Sequence, residues 1–209
     1  MNKKVVRSQK INVKETVQLQ LDDTSFVDYY SGFLSNEMAD SLLDELLTSI
    51  PWREVTHREK KIPRLQCWMS DPNVQAQLFQ KEPALEWSKE ILILKRMIEE
   101  ELRSRNINVV FDYVLMNYYR DGNDKIGFHS DDEAYEEGKN IIGSISLGAS
   151  RIFEMVKRTK KKSNNRYDFV SNHGSLIVMR GDTQLNWLHS IQGDPSVTTP
   201  RINLTFRKS

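Results

Sequence analysis

From Val109 onward the sequence is a succession of short β-type segments separated by turn residues, and no other feature limits the possible folds as much. Stretches at 109–119, 124–130, 141–147, 151–157, 166–170, 175–180, 184–190 and 201–207 carry the alternation or the apolar, β-branched content of strands. Two helical stripes precede them. Ser35 is a good N-cap, and Met38, Ala39, Leu42, Leu43, Leu46, Leu47 and Ile50 follow at helical spacing until Pro51 stops the helix. Trp87, Ile91, Leu94, Ile98 and Leu102 form a second stripe after Pro83, with Glu99, Glu100 and Glu101 expected on its polar side. Two helices and then many strands predict an α+β, mainly β chain. The expected architecture is a double-stranded β-helix (jelly roll) buttressed by N-terminal helices, which leaves few open sheet edges.

Within this frame, Ile126 to Glu133 reads I-G-F-H-S-D-D-E. Residues two apart on an extended strand share a face, so His129 and Asp131 converge from one side. Two His and one carboxylate, with coordination positions left open, are the ligand set expected of a non-heme Fe(II) oxygenase. The second His must be His57, His173 or His189. Near the far end, R-I-N-L-T-F-R at 201–207 alternates Ile202, Leu204 and Phe206 against Arg201, Asn203, Thr205 and Arg207. Arginine binds carboxylates bidentately, so two arginines on one strand face suit a dicarboxylate.

H-S-D-D-E, the distal His189 and R-I-N-L-T-F-R together resemble the AlkB family of iron- and 2-oxoglutarate-dependent nucleic-acid dealkylases. L-M-N-Y-Y-R-D-G at 115–122, S-L-G-A-S-R-I-F-E-M at 146–155 and H-G-S-L-I-V-M at 173–179 support it. P-R-L-Q-C-W at 63–68 is similar to a substrate-side segment of the animal enzymes that repair methylated bases. The resemblance spans residues 26–207 and is densest from 113 onward.

The resemblance implies that His129, Asp131 and His189 hold Fe(II), since the family's third ligand lies ahead of the Arg-rich last strand. His57 sits in an irregular region without a strand partner, and His173 reads as a turn residue before Gly174-Ser175. It implies that Arg201 meets the distal carboxylate of 2-oxoglutarate and Arg207 its iron-proximal one, with Asn117, Tyr119 and Asn203 adding hydrogen bonds. The implied reaction consumes O2 and 2-oxoglutarate, oxidises an N-methyl group, and releases formaldehyde, succinate and CO2. The expected substrates are 1-methyladenine and 3-methylcytosine in DNA or RNA. Asp132 and Glu133 match positions that can accept from an exocyclic amine, or else orient the loop.

Residues 52–83 interleave Trp52, Trp68 and Phe79 with Arg53, His57, Arg58, Lys60, Lys61 and Arg64. Such a mixture can stack bases and hold phosphates, or can be an exposed hairpin with aromatic anchors. The family places a nucleotide-recognition lid here, making Arg64, Trp68 and Phe79 the substrate-side candidates. No intercalating finger is evident between 52 and 70, which favours single strands. Lys157-Arg158-Thr159-Lys160-Lys161-Lys162 is either a solvated hairpin tip or a phosphate contact.

The remaining expectations concern organisation. Residues 1–20 read as a flexible or loosely docked lead-in, 21–209 as a single domain, and 109–207 as its jelly-roll core. Thirty basic against 29 acidic side chains give a net charge of +1, so any nucleic-acid affinity must be local. A single cysteine, Cys67, excludes an intrachain disulfide and fits a reducing compartment, whether nucleus or cytoplasm. No apolar run spans a membrane, and a monomer is expected. The competing expectation is a 2-oxoglutarate dioxygenase acting on a protein or a small molecule.

Overall fold

The computed structural model describes residues 9–11, 16–57, 59–74, 83–131, 140–158 and 165–209. Phe79, Asp132, Glu133 and Lys160 to Lys162 lie outside the described residues. Two sheets face one another. The larger has the strand order β2 (Val17–Gln20), β3 (Ser25–Tyr30), β11 (Ser175–Gly181), β8 (Ile142–Gly148), β13 (Arg201–Arg207), β6 (Tyr113–Tyr119), β5 (Lys60–Ser70), β4 (Arg53–His57). The smaller runs β1 (Gln9–Ile11), β10 (Arg166–Ser171), β9 (Arg151–Lys157), β12 (Trp187–Ile191), β7 (Ile126–His129). From β6 to β13 the chain crosses from one sheet to the other at every step except β9 to β10, which is the jelly-roll winding.

Two helices cover the outer face of the larger sheet. α1 (Asn36–Ser49) starts where Ser35 Oγ accepts from the Met38 N–H at 3.3 Å, and it buries Ala39, Leu42 and Leu46. α2 (Lys89–Ser104) buries Ile91, Leu94, Ile98 and Leu102. It starts later than Pro83 suggests, because Ser88 Oγ accepts from the Ile91 N–H and supplies the cap. Glu99, expected in solvent, is 8% exposed; it accepts from the Phe111 N–H and pairs with Lys95. Both helices pack against Ile202, Leu204 and Phe206, so the apolar face of β13 looks outward to the helices. The polar face, Arg201 to Arg207, therefore looks inward between the sheets, where Tyr119, Phe153, Met155, Phe169 and Trp187 form a second core.

Several elements differ from the sequence reading. The lead-in contains strands: β1 runs parallel to β10, and β2 pairs antiparallel with β3. Alternation does not reveal β3, because S-F-V-D-Y-Y is buried on both faces. β4 and β5 pair antiparallel and continue the larger sheet, with His57 paired to Lys60. The segment 109–112 precedes β6, and 184–190 begins with a single helical turn, α3 (Thr183–Asn186), before β12. Among the described residues no helix is long and apolar enough to cross a membrane.

Candidate metal centre

His129 and His189 are register partners on the neighbouring strands β7 and β12, with ring centroids 4.2 Å apart. Asp131 follows the end of β7. Its Oδ1 lies 3.5 Å from His129 Nε2 and its Oδ2 3.6 Å from His189 Nε2. One ligand atom from each of the three falls within 4.8 Å of the others, and no further such group occurs among the described residues. Metal–nitrogen bonds of about 2.1 Å put ligands at right angles roughly 3 Å apart, so only a small contraction around an ion is needed. Each imidazole has a support. His129 Nδ1 faces the Gly127 carbonyl at 3.0 Å, which favours the tautomer leaving Nε2 to ligate, while His189 stacks on Phe153 at 5.2 Å.

The electrostatics suit a cation. Burial alone would raise the pKa of Asp131, but Arg207, His189 and His129 hold it well below the usual carboxylate range. Arg207 Nη2 sits 3.0 Å from Asp131 Oδ2. Burial pulls His189 down to about 3 despite the opposing pull of Asp131, so its imidazole is neutral and able to ligate.

A β-bulge aims His129. His189 pairs with His129 but Ile191 pairs with Ile126, so β7 has one residue more than its partner at Gly127–Phe128. The extra residue lets both Ile126 and His129 face a cavity of about 550 Å³ between the sheets. An isolated glycine in a strand is the sequence signal for such a bulge.

Asn117, Tyr119, Asn203 and Arg207 line this cavity with the three ligands. Asn117 Oδ1 accepts from Arg64 Nε at 2.8 Å and from Gln66 Nε2 at 2.7 Å, leaving its amide nitrogen for a ligand. Asn203 is already engaged: Nδ2 donates to Ser144 Oγ and the Ile145 carbonyl, and Oδ1 accepts from Thr205. Arg201 lies behind Tyr119, with its guanidinium 5.1 Å from the ring centre. Its Nη2 donates to Ser146 Oγ, while Nε and Nη1 are buried without a hydrogen-bond partner among the described residues. Burial lowers its pKa to about 10, so the group stays charged. A buried cation with unmatched donors is a fit for a carboxylate.

The expected substrate side is only partly assembled. Arg64 lines the cavity. Trp68 does not: it is 7% exposed and packs with Leu115, Val74 and Ala84, so its ring faces are used in the core. Gln66, Phe128 and Gln184 were not singled out from the sequence. Phe128 lines the cavity while remaining 43% exposed, and Gln184 Oε1 accepts from the Asp131 N–H. His173 is outside the cluster: Nδ1 accepts from the Gly148 N–H at 2.7 Å, and Nε2 lies 3.1 Å from Asp40, off hydrogen-bond geometry.

The family model described as "2OG-Fe(II) oxygenase superfamily" matches residues 26–207, nearly the whole described chain. The chain is a member of that superfamily. Within it, the alpha-ketoglutarate-dependent dioxygenase alkB homolog 3 of Mus musculus is 33% identical over 204 residues, covering 91% of this chain and 68% of the mouse protein. The Homo sapiens protein of the same name is 34% identical over 201 residues, with the same coverage. The DNA oxidative demethylase ALKBH2 of Homo sapiens is 43% identical over 103 residues, 47% of this chain and 40% of that protein. These identities identify the chain as AlkB-type, and it spans about two thirds of the length of its alkB homolog 3 relatives. The solved structure of OsALKBH1 shares the fold, with a TM-score of 0.66, 14% identity, and coverage of 92% of this chain and 100% of that one.

Proposed function

We propose that this AlkB-type oxygenase removes methyl groups from 1-methyladenine and 3-methylcytosine in DNA or RNA, and that it takes them from single strands. One observation supports this above the others. The three-ligand centre lies in the same cavity as Val55, Thr56, Ile62 and Arg64 of β4 and β5, and the exposed ring of Phe128. A base must leave its stack to reach such a centre, and an aromatic and a cation lining the cavity can hold it and its neighbours. Residues 52–83 are the lid in this reading, and Asp132 and Glu133 are acceptors for the exocyclic amine.

The chain's own groups have the following tasks. His129, Asp131 and His189 would hold Fe(II), which when bound supplies the O2-dependent oxidation that is paired with conversion of 2-oxoglutarate to succinate and CO2. Arg201 and Arg207 would receive the two carboxylates of 2-oxoglutarate, with Tyr119 and the free amide nitrogen of Asn117 beside them. Arg207 also keeps Asp131 ionised and oriented through its 3.0 Å contact. Neutral His189 needs no deprotonation before it ligates. The oxidised methyl group leaves the base as formaldehyde. The chain acts as a monomer on intracellular nucleic acid, in nucleus or cytoplasm.

The test is formaldehyde release and oligonucleotide mass shift on matched single- and double-stranded DNA and RNA carrying 1-methyladenine or 3-methylcytosine. The proposal expects a mass loss of one CH2 unit, methyl replaced by hydrogen, with stoichiometric formaldehyde and succinate, fastest on single strands. Succinate formation stimulated only by a protein or small molecule, with every oligonucleotide unchanged, would refute it.

A further inference from the structure

We infer that Gln184 is a positioning residue for the metal centre: its side-chain amide fixes the backbone of Asp131 and thereby aims that carboxylate. The inference rests on the metal site alone and not on the nucleic-acid reading.

Asp131 lies beyond His129, the last paired residue of β7, so the sheet offers its N–H no partner. Gln184 Oε1 accepts that N–H at 2.8 Å. Gln184 is 6% exposed, and its Nε2 donates to Met179 Sδ at 3.3 Å. A thioether sulfur can only accept, so the amide cannot flip without losing both contacts. The oxygen is therefore held toward Asp131.

The base of this arm is also held. Thr183 Oγ1 donates to the Arg180 carbonyl at 2.7 Å and accepts from the Phe26 N–H at 3.2 Å. The Asp182 N–H reaches the Thr24 carbonyl at 2.9 Å, and Asn186 Nδ2 donates to Ser25 Oγ at 3.2 Å. α3 is thus tied to β3 and leads directly into β12, which carries His189. One short segment fixes His189 through the chain and Asp131 through Gln184. Arg207 holds the Asp131 carboxylate from the other side, so backbone and side chain are restrained independently. Partners of this kind orient ligands, and their loss weakens metal affinity by about 10- to 100-fold.

The test uses the full chain, stripped of metal by chelation and titrated with Mn(II), with free Mn(II) followed by its electron paramagnetic resonance signal. Gln184→Met keeps the volume and removes the acceptor. It should weaken Mn(II) binding about tenfold or more, while the metal-free protein unfolds within about 4 °C of the native one, a shift worth about 1 kcal/mol in a chain of this size. Gln184→Glu keeps an acceptor oxygen at the same reach and should restore Mn(II) affinity to within about threefold. A Met variant that binds Mn(II) as the native protein does would overturn the inference. So would a Glu variant as weak as the Met variant, because the acceptor would then not be what matters.

Discussion

Replacing Arg201 by alanine should raise the Michaelis constant for 2-oxoglutarate by about two orders of magnitude and leave iron binding intact. Arg201 is 2% exposed, and its Nη2 donates to Ser146 Oγ at 2.9 Å. Two donors, Nε and Nη1, have no partner among the described residues and remain for a carboxylate. A hydrogen bond to a charged group is worth about 1.5–3 kcal/mol, so two at the low end give about 3 kcal/mol. At about 1.4 kcal/mol per tenfold, that is about 150-fold. Fold stability should not suffer comparably, because the substitution also removes a desolvated cation whose pKa burial has lowered to about 10. Arg201→Lys keeps a charge and loses the planar fork, so it should fall between the alanine variant and the native protein. The assay is succinate formation against 2-oxoglutarate concentration, with iron content and unfolding temperature measured on the same samples. An unchanged Michaelis constant would remove Arg201 from the cosubstrate site; an increase accompanied by lost iron would show that it acts on the metal centre instead.

Alanine at His129, Asp131 or His189 should abolish both tight Fe(II) binding and turnover, whereas His173→Ala should retain iron, as metal analysis of the purified variants will show. The metal-free protein should lose stability as pH falls from about 6.5 toward 3: burial depresses His189 to about 3, so below the ordinary histidine pKa the unfolded chain takes up a proton that the folded chain refuses. His189→Gln should flatten that limb of the curve of unfolding temperature against pH, and an unaltered slope would contradict the assignment. Phe128→Ala should raise the Michaelis constant for methylated single strands several-fold without changing that for 2-oxoglutarate; equal effects on both would place Phe128 in the scaffold and not at the nucleic acid.

Much of the fold follows from local pattern. The alternation of Ile202, Leu204 and Phe206 with Arg201, Asn203, Thr205 and Arg207 defines β13 and puts both arginines on one face whatever surrounds them. Ser35 and the spacing of Ala39, Leu42 and Leu46 define α1 in the same way. His129 and Asp131 are close in sequence, so their proximity is local, but Asp131 lies past the end of β7 and is held by Gln184 and Arg207, while the family resemblance adds His189. What the tertiary structure decided depends on partners distant in the chain. β3 is a strand because β2 and β11 flank it and cover its polar groups, not because of any alternation of its own. His129 faces the cavity through a bulge measured against β12, and register exists only between two strands. Trp68 looks like a stacking surface in sequence and is buried because Leu115 lies opposite it on β6. Gln184 carries no motif at all; it matters because α3 brings its amide to an N–H that the sheet leaves unpaired. Periodicity records which side of an element is apolar, but the identity of what covers that side is settled only when the sheets close on one another.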